Sequence, residues 1–403
     1  MIRFLTAGES HGKALVTILE GFPSNIPISP DEINYQLKRR QGGYGRSTRM
    51  KIESDSVQIL SGIRFGKTLG SPISFLIENK DWVNWQEVLS IEKPTGPIKK
   101  ITIPRPGHAD FVGVSKYNFD DIRNSIERSS ARETASRVAA GSVARKFLEH
   151  FGIQIGSYVE SIGGIYSTRD YFTHLLENKT LKGKTGWDIS VKADKSVVRV
   201  LDKTQEKKII NKIKSIKNSG DTIGGTFVTI ATGVPVGLGS FMQYDRRLDA
   251  DIAFHLMSIN AVKGVDIGNG FVSAEQYGSQ VHDEITIDGK SFSRKTNHSG
   301  GIEGGISNGL PIIIRAAMKP ISTLAKPLNT VDLGSMIKVV SRYERSDFTA
   351  VPSCAVVAES MLAWVIAKHF LIKFGGDSLE ETRDNFNSFT KKSFNRIRKG
   401  FKR

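Results

Sequence analysis

GKTLGSPISF, residues 66–75, returns as GISNGLPIII, residues 305–314; both spell G-x-x-x-G-x-P-I and then run apolar. Glycine and proline ahead of a β-favouring run is the pattern of a short strand entered from a tight turn. The echo suggests an internal pseudo-repeat. The same short apolar alternations bounded by glycine occur in VQILSGIRF (57–65), SPISFLIEN (71–79), GGTFVTIATGVPVG (224–237) and LPIIIRAAM (310–318), and they read as antiparallel strands. Residues 120–150, 205–218, 248–262 and 353–373 carry helical periodicity instead. Strands and helices in this arrangement define an α+β fold rather than a doubly wound sheet. No Pro- or Ser-rich linker divides the chain, so one intertwined domain is expected over residues 1–376. Residues 377–403 are polar and lysine-rich and read as a basic tail, mobile or only peripherally packed.

The 403 residues are 39% hydrophobic and 24% charged, which argues against both disorder and a membrane protein. AVVAESMLAWVIAKHFLI (355–372) is the most apolar late segment, but Glu359 and Lys368 interrupt it, so it reads as a buried helix. Gly8, Glu9 and His11 follow Met1–Leu5 too closely for the apolar core of a signal peptide, and a cytoplasmic location is expected. The lone Cys354 excludes an intramolecular disulfide and a thiolate metal cluster, and no metal site is expected. A net charge of +16 admits nucleic acid, an anionic membrane or a phosphorylated small molecule as partner. The lysine runs read as solvated surface. The arginines cluster among glycines and point elsewhere.

ERSSARETASRVAAG (127–141) contains Ser130 and Glu133 in the S-x-x-E order of a capping box, so a helix is expected to start at Ser130. Arg128 and Arg132 flank that start, where hydroxyls, cations and the helix dipole can converge on an anion. An ordinary capped helix with surface arginines fits these residues as well. Ala135, Val138, Ala139 and Ser142 form a small-residue stripe suited to a core. RRQGGYGRSTRMK (39–51) interleaves Arg39, Arg40, Arg46 and Arg49 with glycines, matches neither nucleotide fingerprint, and suits a small anion or RNA. The absence of an aromatic platform favours the small anion.

Two histidines sit in rigid turns: His11 in GESHG (8–12) and His108 in PRPGHAD (104–110), where Asp110 either orients the ring or caps the next turn. Such a pair suits two separate proton transfers. INAVKG with Asn260 and Ala261, the glycine-dense GGIEGGISNG with Gly304, and MKPIST with Lys319 allow close backbone approach to a flat or phosphorylated ligand. RYERSDFTAVP sets Arg345 two residues before Asp347, an arginine for an anion beside a carboxylate able to act as base, or a surface ion pair.

Together GESHG, RRQGGYGR, RPGHAD, RSSARETASRVAAG, INAVKG, GGIEGGIS, MKPIS and RSDFTAVP resemble the chorismate synthase family in order and spacing, from Met1 to about Ile372. Residues near 83–101 and 167–220 match it much less. The resemblance implies a β-α-β sandwich assembled as a homotetramer. It also implies an anti-1,4-elimination of phosphate from 5-enolpyruvylshikimate 3-phosphate, dependent on reduced FMN without net redox change. By the same resemblance Arg128, Ser129, Ser130, Asn260, Ala261, Gly304, Lys319, Pro320, Ile321, Ser322, Thr323 and Arg345 belong to the flavin site. Ser10, Arg46, Arg49 and Arg132 match substrate contacts, and Arg40 and Arg46 match positions assigned to NADPH. His11 matches the acid on the departing phosphate, His108 the histidine that protonates or stabilises reduced flavin, and Asp347 the relay for the flavin N5 proton. NADPH then serves as an indirect reductant through an external flavin reductase, with no nucleic-acid or membrane partner. A basic RNA-binding protein and a flavodoxin-like electron carrier are the rivals.

Overall fold

The computed structural model describes residues 2–46, 54–94, 96–178, 183–288, 291–344 and 346–400, with 392–400 as helix backbone only. The first half runs β1 (Arg3–Ala7), β2 (Ala14–Glu20), α1 (Pro30–Gln41), β3 (Val57–Ser61), β4 (Ile73–Glu78), α2 (Ile122–Ser129) and α3 (Thr134–Glu149). The second half runs β5 (Gln154–Ile162), β6 (Ile165–Tyr166), β7 (Gly225–Thr232), α4 (Leu248–Met257), β8 (Val262–Ile267), β9 (Ile312–Met318), α5 (Val351–Phe374) and α6 (Leu379–Gly400). One sheet has the order β1-β2-β4-β3 and the other β8-β9-β7-β5-β6, and all their pairings are antiparallel.

With the small edge strand β6 set aside, the two sheets have the same connectivity, and the quoted decapeptides lie at the same place in each. Ile63–Arg64 pairs with Lys67–Leu69 in a hairpin ahead of β4, as Ile302–Glu303 pairs with Ile306–Ser307 ahead of β9. Both hairpins turn through two residues of positive φ, Phe65 (50°) and Gly66 (72°) in one, Gly304 (58°) and Gly305 (82°) in the other. That is the requirement of a type I′ turn, whose twist matches the flanking strands. Each hairpin closes with the same hydrogen bond, Leu69 N–H to Gly62 O and Asn308 N–H to Gly301 O, both 3.0 Å. The pseudo-repeat suggested by ten residues therefore extends through each sheet.

The long helices α3 and α5 pack against each other between the sheets. From the first sheet the cross-strand pairs Leu15–Ile77, Thr17–Phe75 and Leu19–Ile73 face inward and are buried. From the second, Phe227 and Ala231 of β7 join the same core, while Val228 and Ile230 face the helices Tyr171–Leu176 and Gly186–Ala193 on the other side. A Cβ at Gly141 of α3 would come within 2.4 Å of Ser360 Cβ of α5, so only glycine permits this crossing. The alanine-rich stripe behind it, Ala135, Val138 and Ala139, is 0% exposed. Among the described residues α5 is the one helix long and apolar enough to cross a membrane, and it is buried inside the protein.

Two sequence expectations change. The helix expected through 120–150 is broken: α2 ends at Ser129, a 3-10 turn spans Ala131–Glu133, and α3 starts at Thr134. Ser130 caps the turn by accepting from Arg132 N–H, while Glu133 binds the Thr6 hydroxyl at 2.9 Å and Arg137, so no capping box forms. The segment read as a tail is the helix α6. Leu379 (3% exposed) and Thr382 (0%) are buried, and Phe386 and Phe389 pack on Phe374. Their spacing of three and four residues is helical, a period masked in the sequence by the surrounding lysines and arginines.

Candidate active site

The N-termini of α3 and α5 open onto one cavity of about 680 Å³, so two helix dipoles present their positive ends there. Its lining includes Ser10, His11, Arg40, Arg46, His108, Ser129, Ser130, Arg132, Asn260, Ala261, Lys319, Pro320, Ile321, Ser322, Thr323 and Asp347. These come from segments more than 300 residues apart in the chain. Arg49 and Arg345 lie outside the described residues. Arg128 is exposed and donates to the Thr6 carbonyl at 2.7 Å, away from the cavity lining, and Gly304 occupies the turn of its hairpin.

The turn GESHG links β1 to β2. Although it spells G-x-S-x-G, two antiparallel strands flank it rather than a strand and a helix, so Ser10 is not on a nucleophile elbow. Ser10 N–H donates to the Glu127 carbonyl at 3.0 Å and His11 N–H to Glu127 Oε2 at 2.8 Å. His11 Nδ1 lies 3.0 Å from Glu127 Oε1. The ring of Trp85 lies against the imidazole, centroids 4.1 Å apart, and the Arg123 guanidinium sits over the Trp85 ring.

His108 is built the same way from different parts. Its Nδ1 is 2.6 Å from Asp110 Oδ1, and Asp110 also receives a two-pronged contact from Arg105 at 2.9 and 3.0 Å. Burial would raise the Asp110 carboxyl, but His108 and Arg105 outweigh it and hold it far below the usual carboxylate range. Asp110 thus orients the ring, and it also lies in the first turn of the short helix Asp110–Tyr117 without being its N-cap. Lys319 Nζ and Ser322 Oγ both donate to the Gly107 carbonyl, at 2.6 and 2.7 Å, and fasten the histidine turn to the 319–323 run.

Arg40, Arg46 and Arg132 line the same cavity. Arg132 and Arg40 both bind the buried Asp55, at 2.6 and 3.2 Å, and Arg132 also donates to Asn79 at 2.8 Å. Burial pushes Arg40 down to about 10, so it stays cationic at neutral pH. Arg46 is 3.0 Å from Asp347 Oδ2 and 2.8 Å from the Ser353 hydroxyl. Arg39, grouped with these in the sequence, points the other way into the core, where it binds Glu359. Both Arg39 and Arg40 lie in the last turn of α1 rather than on a surface loop.

A cavity lined by cations, two carboxylate-held imidazoles and the carboxylates of Asp81, Glu344 and Asp347 suits an enzyme that eliminates or transfers a phosphorylated group. The comparisons give the family. The family model for chorismate synthase matches residues 2–371. Curated chorismate synthases from Chloroherpeton thalassium, Alkaliphilus metalliredigens and Aquifex aeolicus are 51%, 53% and 50% identical over 396, 391 and 392 residues. Those alignments cover 96–97% of this chain and 97–100% of each relative. A crystal structure of chorismate synthase superposes with a TM-score of 0.79 at 42% identity, covering 98% of both chains. The chain belongs to the chorismate synthase family and is a lyase of aromatic amino acid biosynthesis.

Glu127, Arg105, Glu344, Arg123, Asp55 and Trp85 escaped the sequence reading. Each contacts a partner distant in sequence, and a charged or aromatic residue, in a helix or a loop, carries no local sign of that.

Proposed function

We propose that this cavity converts 5-enolpyruvylshikimate 3-phosphate into chorismate and phosphate by anti-1,4-elimination, with reduced FMN bound beside the substrate. The observation that carries the reading is the pair of histidines, each gripped through Nδ1 by a carboxylate, in one cavity with Arg40, Arg46 and Arg132.

The residues present suit a flavin. Asn260 Oδ1 is buried with no partner among the described residues, although its amide donates to the Ser129 carbonyl at 3.0 Å. Ala261 holds a φ of 67°, unusual for alanine, at the cavity wall. An unpaired acceptor, a strained backbone and the Lys319 cation form a cradle for a flat ring with polar edges and a phosphate tail. Ser129, Ser130, Asn260, Ala261 and Lys319–Thr323 would hold it. The family pattern alone supports Arg128, Gly304 and Arg345 in that role. When bound, reduced FMN supplies electron density to the allylic system and recovers it, so nothing is oxidised overall.

The chain's own groups do the rest. Arg46, Arg132, Ser10 and, by the family pattern, Arg49 hold the phosphate and carboxylates. His11 Nε2 gives a proton to the phosphate as the C–O bond breaks. Asp347, held by Arg46, would relay from flavin N5 the ring proton that must also leave, and His108 offers a proton or a positive charge on the flavin side. Arg40 and Arg46 remain the candidates for NADPH, which would act through an external flavin reductase. Homotetramer assembly is supported by apolar side chains left exposed on β1 and α4, including Leu5 at 68% and Phe254 at 69%. A cytoplasmic location completes the reading.

Arg132→Lys tests it. Lysine keeps the charge but loses the planar fork. Substrate affinity, followed by flavin absorbance, is expected to fall by about 1.5–3 kcal/mol, the range for charged hydrogen bonds. Because the same fork binds buried Asp55 and Asn79, the melting temperature should fall too. Unchanged affinity with lowered stability would make Arg132 a structural group and remove it from the substrate site.

A further inference from the structure

Five side chains join the two histidines without a break. His11 binds Glu127 at 3.0 Å; Glu127 lies 3.4 Å from Arg123; Arg123 lies 3.9 Å from Glu344. Glu344 lies 3.4 Å from Arg105, which binds Asp110, which binds His108. The signs alternate along the whole chain. At one end Asp110 fixes the ring of His108; at the other, Glu127 stands in the same relation to His11.

We propose that Glu127 is the positioning residue of the acid His11, fixing both the direction of the ring and the nitrogen that carries its proton. This rests on the assignment of His11 as the acid. Three contacts support it. Glu127 accepts from His11 N–H and through its main chain from Ser10 N–H, so the whole GESHG turn is pinned to α2. A carboxylate only accepts, so Nδ1 must carry a proton toward it, which leaves Nε2 for the ligand in the cavity. Its side chain is 2% exposed, so water cannot substitute for it. Burial raises the Glu127 carboxyl, yet His11 and Arg123 outweigh that and hold it below its ordinary value, so it stays anionic wherever the enzyme works. Kept anionic beside Nδ1, Glu127 holds the ring so that Nε2 is the nitrogen aimed at the leaving group.

The groups facing His11 are Glu127 and Arg123 from α2 and Trp85 from the segment after Lys80–Asn84, with Asp81 holding the indole N–H at 3.1 Å. Of these, only Glu127 touches an imidazole nitrogen.

Glu127→Gln keeps the shape and the acceptor oxygen while removing the charge. With enolpyruvyl substrate and reduced FMN, kcat should fall about 10- to 100-fold, a fraction of the general-acid contribution. KM should change little, and the alkaline limb of the kcat profile should move to lower pH by about one unit. In a His11→Ala background the same change should add no further loss, since residues acting as a unit are not additive. In wild-type protein, the ¹⁵N shifts of neutral His11 should report the Nδ1–H tautomer, a measurement that does not depend on any variant folding. An Nε2–H tautomer, an unmoved pH limb, or a full additional loss in the His11→Ala background would overturn the proposal. If His11→Ala itself keeps normal turnover, the assignment of the acid fails instead.

Discussion

Replacing His11 by alanine is expected to slow chorismate formation by about 10²- to 10⁴-fold, the usual contribution of a positioned general acid. The proton it supplies is needed only as the phosphate leaves, so substrate and reduced FMN should still bind within a few-fold of their wild-type affinities. The geometry makes this separation possible. His11 hangs from the β1–β2 turn, held by Glu127 and stacked on Trp85, whereas the proposed flavin cradle is built from Asn260, Ala261 and the 319–323 run. Stopped-flow phosphate release and flavin titration on one preparation distinguish the two effects. Wild-type turnover in His11→Ala would remove the acid from the account, and lost flavin binding would make the turn structural.

The largest stability effect is expected far from the chemistry, at Glu359→Leu. Glu359 sits in the middle of α5 with 0% exposure and is contacted by Arg39 and Arg145 at 2.7 Å and by Arg199 at 3.1 Å. Ser157 and Ser190 hydroxyls donate to it at 2.6 and 2.7 Å. Burial alone would raise its carboxyl; the three guanidinium groups outweigh that and hold it far down. Removing it would leave three arginines facing one another, with Asp194 the remaining anion. Breaking a buried charge network from one side costs about 3–5 kcal/mol. Denaturant unfolding should show that loss, whereas Glu359→Gln, which keeps the hydrogen-bonding shape, should lose less. A change below about 1 kcal/mol for the leucine variant would mean that water reaches the network. The hub also matters for the site, because it anchors Arg39, the neighbour of Arg40 on α1, and so fixes how that helix presents Arg40 to the cavity.

This hub shows where the sequence was legible and where it was not. The glycine-bounded strands, the repeated G-x-x-x-G-x-P-I and the buried late helix follow from local period and turn chemistry, and these were readable. Glu359 reads locally as a polar interruption in an apolar run. Its partners lie at 39, 145, 157, 190 and 199, and no local pattern joins them. The histidines were legible because glycine and proline around them make rigid turns. Glu127, 116 residues from His11, was not. The expected capping box failed for the same reason: the Ser130–Glu133 spacing was right, but Thr6 and Arg137 compete for the glutamate. The helix α6 is a different case, since Leu379, Thr382, Phe386 and Phe389 carry a helical period that its charge obscured.

The most direct test of the central claim is to mix the purified protein, without oxygen, with reduced FMN and 5-enolpyruvylshikimate 3-phosphate. Equimolar phosphate and chorismate are expected over many turnovers, with the flavin still reduced at the end and no product when oxidised FMN is supplied. Absence of phosphate release, or phosphate formed only as flavin is consumed by oxidation, would contradict the reading of this cavity as the site of a redox-neutral elimination.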